Sequence, residues 1–183
     1  MEIMAEGLEF PEGPIAMPDG SVILVEIARG TVSQVGTDGS ITVVADTGGG
    51  PNGIAFGPDG RIYVCNNGGF DTRKGPDGRT QILETNDSYV GGSIQAVDPE
   101  TGTVETLYTE ANGHKLSAPN DIVFDATGGF WFTDHGKQWD RQRDHGGIYY
   151  AKPDGSFIEE AIYPVEAPNG IGLSPDGRTL YVG

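Results

Sequence analysis

Four residues with oxygen-bearing side chains, Glu12, Asn52, Asn120 and Asn169, stand at the same place in four copies of one motif. The copies are PEGPIAMPDGSVILVE from Pro11, PNGIAFGPDGRIYVCN from Pro51, PNDIVFDATGGFWFTD from Pro119 and PNGIGLSPDGRTLYV from Pro168. Carboxylate and amide oxygens brought together suit a hard cation, above all Ca²⁺, which takes roughly 6 to 8 oxygen ligands. Zinc or copper wants His or Cys, and none of His114, His135 and His145 falls on the repeat position. A second reading stays open, because Pro-Asn-Gly forms turns whatever its function and Asn tolerates left-handed backbone geometry. Glu12 departs from that reading: Glu has no special turn propensity, yet it occupies the Asn slot.

For these residues to meet, the elements that carry them must share an axis. Each copy runs Pro, Glu or Asn, Gly or Asp, a short apolar strand, a turn and a second apolar strand. Two further strand-like runs follow each of the first three copies, at 31–35 and 41–45, at 93–97 and 104–108, and at 148–151 and 156–162. Four strands per unit, recurring about every 40 to 50 residues, is the pattern of a β-propeller blade. The longer interval between the second and third copies fits once 70–91 is an insertion. The predicted units are blade 1 at about 8–46, blade 2 at about 47–112 with that insertion, blade 3 at about 113–164, and the start of blade 4 at 165–183. In a propeller the innermost strand of each blade runs along the axis, so equivalent positions at its start gather around the channel mouth. The Pro-Asp-Gly triplets beginning at Pro18, Pro58, Pro76, Pro153 and Pro175 read as hairpin turns rather than ligands.

Composition narrows the field. With 30 Gly and 12 Pro in 183 residues, a helical bundle is excluded. A net charge of −16 denies the clustered Lys and Arg that nucleic acid binding needs. No apolar run reaches the ~18 residues of a membrane-spanning helix, and the opening residues lack a signal peptide's basic and apolar regions. A cytoplasmic location is the default expectation. The lone Cys65 permits no internal disulfide. Gly-x-Ser-x-Gly, His-Glu-x-x-His and Cys-x-x-Cys are all missing, which removes the parts of serine-hydrolase and zinc-protease mechanisms.

The ordered series Phe10-Pro11-Glu12-Gly13-Pro14, Pro51-Asn52-Gly53, Pro119-Asn120-Asp121 and Pro168-Asn169-Gly170 resembles the N-terminal portion of the senescence marker protein (regucalcin), gluconolactonase and luciferin-regenerating enzyme-like family. The resemblance implies an all-β, six-bladed propeller, of which this sequence supplies about three and a half four-stranded blades. It implies one divalent cation, usually calcium, at the top of the channel, and by motif it assigns ligation to Glu12, Asn120 and Asn169. The family's remaining ligand, an Asp of a later blade usually proposed as acid or base, has no counterpart here. The catalytic residue is therefore unassigned, and this stretch alone is expected to be inactive. The activity implied is a gluconolactonase-like hydrolysis of small-molecule lactones or esters, with the cation polarising the carbonyl. The family's Arg ahead of its Asn-Asp is missing from Leu116-Ser117-Ala118-Pro119-Asn120, which leaves a smaller or less polar lactone or ester open. Asn52, outside the family's usual ligands, reads as a substrate or water contact or as a turn residue. His135 reads as a substrate-binding residue able to carry a proton, or as an ordinary loop histidine. Loops 70–91 and 137–144 are candidates to overhang the pocket. A non-catalytic propeller that binds a small ligand or a protein is the competing function.

Overall fold

Turn chemistry sets the strand lengths. At Pro18-Asp19-Gly20 the Asp19 carboxylate accepts hydrogen bonds from the Ser21 backbone N–H (2.9 Å) and hydroxyl (2.7 Å). Asp38 with Ser40 and Asp154 with Ser156 repeat the arrangement, and the serine hydroxyls hold all three carboxyls below their usual range. Turn carboxylates are thereby committed to their own turns.

A computed structural model describes residues 3–183, which contain strands and no helix. The first sheet consists of β1 (Pro11–Ala16), β2 (Val22–Glu26), β3 (Thr31–Val35) and β4 (Ile41–Asp46), antiparallel and in sequence order. The second takes β5 (Pro51–Phe56) and β6 (Ile62–Asn66). A hairpin of β7 (Thr72–Lys74) and β8 (Thr80–Ile82) then interrupts it before β9 (Ser93–Val97) and β10 (Val104–Tyr108). A second small hairpin, β11 (Glu110–Ala111) with β12 (His114–Lys115), leads to the third sheet. That sheet comprises β13 (Pro119–Phe124) and β14 (Phe130–Asp134), then, after the hairpin β15 (Gln138–Trp139) and β16 (Gln142–Arg143), β17 (Gly146–Ala151) and β18 (Ile158–Val165). β19 (Ile171–Leu173) and β20 (Leu180–Val182) pair alone. Loop 70–91 is thus partly ordered as a hairpin, as is 137–144.

Apolar side chains fill the spaces between successive sheets. Between the first and second lie Ile23, Val25, Val32, Ile54, Ile62 and Val64. Between the second and third lies an aromatic cluster in which Phe132 stacks on Tyr149 at 5.0 Å and Tyr63 meets Phe124 edge-on at 5.0 Å. Ile162, Tyr163 and Tyr181, by contrast, are exposed.

The inner strands β1, β5, β13 and β19 pack side by side. The first three each carry a register shift at the repeat position, between Glu12 and Ile15, Pro51 and Ile54, and Pro119 and Ile122. A bulge re-aims the side chains it displaces, and this one recurs where the oxygen-bearing residues sit. Neighbouring bulges approach through glycine. A Cβ on Gly53 would lie 2.5 Å from the Asn120 carbonyl oxygen, and one on Gly13, at φ +55, would lie 2.7 Å from that of Asn52. Gly53→Ala is expected to lower stability by about 1–3 kcal/mol, read as a lower denaturant midpoint at unchanged slope. An unchanged midpoint would mean that the inner strands are not held this closely.

Candidate functional site

A cleft of about 310 Å³ opens at the starts of the inner strands, lined by Glu12, Asn52, Asn120 and Asn169 together with Gly13, Pro14, Gly53, Ile54 and Asp121. The four repeat-position residues therefore share one cleft. Asn120 is buried, Asn52 half-buried, and Glu12 and Asn169 exposed. None of the four side chains hydrogen-bonds to another described residue, whereas most carboxylates elsewhere are engaged. Among the described residues no cluster of three or more His, Cys, Asp or Glu forms a metal site. The donor set is one carboxylate beside amide oxygens.

Asp121 and Thr133 fix the far side of the cleft. Asp121 occupies the place of Gly13 and Gly53 in the third copy. Its Oδ2 accepts the Ile171 N–H across the gap to the next unit (2.9 Å), and its Oδ1 accepts the Ile122 N–H (2.9 Å). The buried Thr133 hydroxyl accepts the Asp121 N–H at 3.2 Å and donates to the Asn169 carbonyl oxygen at 2.5 Å. Asn169 is thus tied to the strand that follows Asn120.

Behind the cleft a second repeat position governs the loops that lead into the inner strands. The last residue of each of the first three motif copies is Glu26, Asn66 and Asp134, with relative exposures of 0%, 3% and 2%. Glu26 accepts the Glu9 N–H at 2.7 Å, Asn66 Oδ1 the Gly50 N–H at 2.9 Å, and Asp134 those of Ser117 (2.7 Å) and Ala118 (2.6 Å). Each caps the backbone shortly ahead of its own unit's Glu12, Asn52 or Asn120. Burial pushes the Asp134 carboxyl upward, against three N–H donors that favour its charged form, the third being Gly136 at 2.9 Å. Sequence reasoning missed this set, although the identical offset from Glu12, Asn52 and Asn120 was there to be seen.

His135 does not line the cleft; its backbone N–H bonds to the Ala118 carbonyl, and its Nδ1 is buried without a partner among the described residues. The more unusual neighbour is Lys137, 1% exposed. Its ammonium donates to the Gly69 carbonyl at 2.6 Å and lies 3.2 Å from the centroid of the Phe70 ring and 5.2 Å from that of Tyr89. Burial pulls it down to about 7, with Asp134 opposing. Loop 70–91 is bound to the loop after β14 by this contact. The Tyr89 hydroxyl adds a bond to the Ser117 carbonyl (2.6 Å), and the Thr85 hydroxyl one to that of Gln138 (3.1 Å).

An all-β array of propeller-type blades, with an oxygen-lined cleft where its inner strands begin, defines the class. The chain belongs to the SMP-30/Gluconolactonase/LRE-like region family, which matches residues 10–183. A gluconolactonase of Zymomonas mobilis is 26% identical over 205 residues, covering 100% of this chain and 51% of that protein. A lactonase drp35 of Staphylococcus haemolyticus is 28% identical over 184 residues, covering 100% and 50%. A solved gluconolactonase of Xanthomonas campestris superposes with a TM-score of 0.72 at 24% identity, over 98% of this chain and 56% of that one. A PQQ-bound aldose sugar dehydrogenase of Streptomyces coelicolor gives 0.66 at 18%, over 100% and 58%. The two structures speak for the fold. The chain spans about half the length of the curated relatives it matches.

Two substitutions test the supports. Asp134→Ala leaves three N–H groups unpaired, two of them buried, and is expected to lose at least about 2 kcal/mol in denaturant titration; a loss under ~1 kcal/mol would mean that the cap is dispensable. Lys137 binds its proton less tightly in the folded than in the unfolded chain, where the usual value is 10.5. Its penalty is fully present below pH 7 and is relieved as pH rises from about 7 toward 10.5. Relative to Lys137→Met, the native protein should therefore gain stability over that interval, and parallel pH curves would contradict the burial of this charge.

Proposed function

We propose that the protein hydrolyses lactones or related esters at the cleft of Glu12, Asn52, Asn120 and Asn169, with a divalent cation, most simply Ca²⁺, held by Glu12, Asn120 and Asn169. The observation that carries this reading is the convergence of unpartnered oxygen donors from four repeat units on one cleft. Membership of a family whose relatives include a gluconolactonase and a lactonase supports it. The residues present fit a hard cation: Glu12 and the Asn side chains offer oxygen, with no His or Cys among them. When bound, such an ion supplies Lewis acidity toward a carbonyl oxygen.

The chain's own groups do the rest. Glu12 is the cleft's one uncommitted carboxylate, since both Asp121 oxygens already accept backbone N–H groups. A neutral carbonyl therefore meets little repulsion there. Asn52, half-buried on the strand between those of Glu12 and Asn120, offers an amide N–H to a substrate oxygen. Thr133 and Asp134 keep the neighbouring strand starts from shifting, which preserves the preorganisation that electrostatic catalysis requires. Hydrolysis joins a water oxygen to the carbonyl carbon and breaks the ring C–O bond. The proton that water releases ends on the departing alkoxide, giving the open hydroxy acid.

Turnover of a lactone panel by the whole protein is expected to vanish with a chelator and to return with Ca²⁺. Even outer partners of metal ligands are worth roughly 10- to 100-fold, so Glu12→Gln should lower kcat/KM by at least about 100-fold. Activity that survives both treatments would overturn the proposal.

A further inference from the structure

A second cavity of about 710 Å³, lying between residues 3–12 and the β7–β8 hairpin, shares Glu12 with the cleft. One wall carries Ile3, Ala5, Leu8, Phe10 and Pro11 with Glu6 among them; the other carries Lys74, Asp77, Arg79 and Thr80 from the hairpin. On that second wall Lys74 is already matched, while Arg79 stands exposed beside Asp77. Lys74 lies 2.6 Å from the Glu9 carboxylate, to which Thr80 also donates, and Arg79 lies 3.7 Å from Asp77. Lys74 and Thr80 hold the Glu9 carboxyl below its usual range. The apolar wall offers an entering group a surface that rewards desolvation.

Phe10 shows that this wall is maintained against a backbone preference. Its φ is +58, in the left-handed region that a bulky side chain avoids. The conformation is fixed on both sides: the Phe10 carbonyl accepts the Ile27 N–H at 3.1 Å, and the preceding Glu9 bonds through its N–H to the buried Glu26 (2.7 Å) and through its carbonyl to Ala28 (3.2 Å). Glycine would satisfy this backbone without strain. A phenylalanine held there instead lines the cavity two residues before Glu12. Strained residues of this kind gather at functional sites.

Resting on the lactone-hydrolase reading, we propose that this cavity is the substituent subsite of the same centre. It receives the apolar chain of an alkyl-bearing lactone or ester whose carbonyl lies at Glu12, and Phe10 is the residue that sets this specificity. Hydroxyl groups of a polyhydroxylated sugar lactone that face Ile3, Leu8 and Phe10 would lose hydration, whereas an alkyl chain is desolvated there favourably.

The test uses the whole protein with Ca²⁺ and a series of γ-lactones from unsubstituted butyrolactone to long-chain homologues. The expected result is a rise in kcat/KM of up to about three- to fourfold per buried methylene, carried by KM and levelling once the cavity is full. Phe10→Gly, which relieves the backbone, should flatten that dependence while the thermal midpoint holds or rises. Calorimetric binding of the matching alkyl γ-lactams, which resist hydrolysis, should show the same chain-length trend and the same loss in Phe10→Gly. Chain-length-independent lactone kinetics together with length-independent lactam binding would overturn the subsite and leave the hydrolase reading standing. Failure to hydrolyse any lactone, with the lactam trend intact, would overturn the reaction and keep the subsite.

Discussion

A buried acceptor at the end of the second strand of each of the first three units catches the backbone that leads into that unit's inner strand. Glu26, Asn66 and Asp134 do this with different side chains but one geometry, each a buried acceptor taking N–H groups of the lead-in backbone. Backbone polar groups buried without a partner are among the most expensive defects a fold can carry. Once they are satisfied in only one way, the lead-in loop has one path, and the residue it delivers has one place to go. The positions of Glu12, Asn52 and Asn120 follow from this capping more than from any contact of their own.

The inner strands then exploit that placement. A bulge at each repeat position displaces the oxygen-bearing side chain, and the glycines beside it let adjacent backbones come together at distances no Cβ would tolerate. In the third unit Asp121 replaces the glycine and reaches across to Ile171, while Thr133 reaches the Asn169 carbonyl. The unit that carries Asn169 is held by two side chains of its predecessor. Rigidity in the cleft is thus a property of relations between units, as expected of repeat architectures.

Much of this was legible in the sequence because it is local. Asp-Gly turns and alternating apolar runs mark hairpins through chemistry confined to a few residues, and the strands begin and end within two or three residues of where these signals fall. The four cleft residues were found because repetition converts a sequence offset into a spatial one. What escaped was tertiary. Nothing near Lys137 in the sequence announces a buried ammonium, since Gly69, Phe70 and Tyr89 come from another unit. The left-handed Phe10 is equally silent, because its conformation is imposed by Ile27 and Glu26. Asp121 read as a motif variant, and only the neighbouring strand reveals what its carboxylate holds.

Lys137 carries an implication for how such loops change. Its charge is tolerable only because the Gly69 carbonyl and two aromatic rings of the preceding unit surround it. Transplanting either loop alone from a relative would leave a cation stranded in apolar surroundings or an aromatic pocket with nothing to fill it. The two loops are therefore a single exchangeable module. Diversification of the rim, in nature or by design, has to move them as a pair.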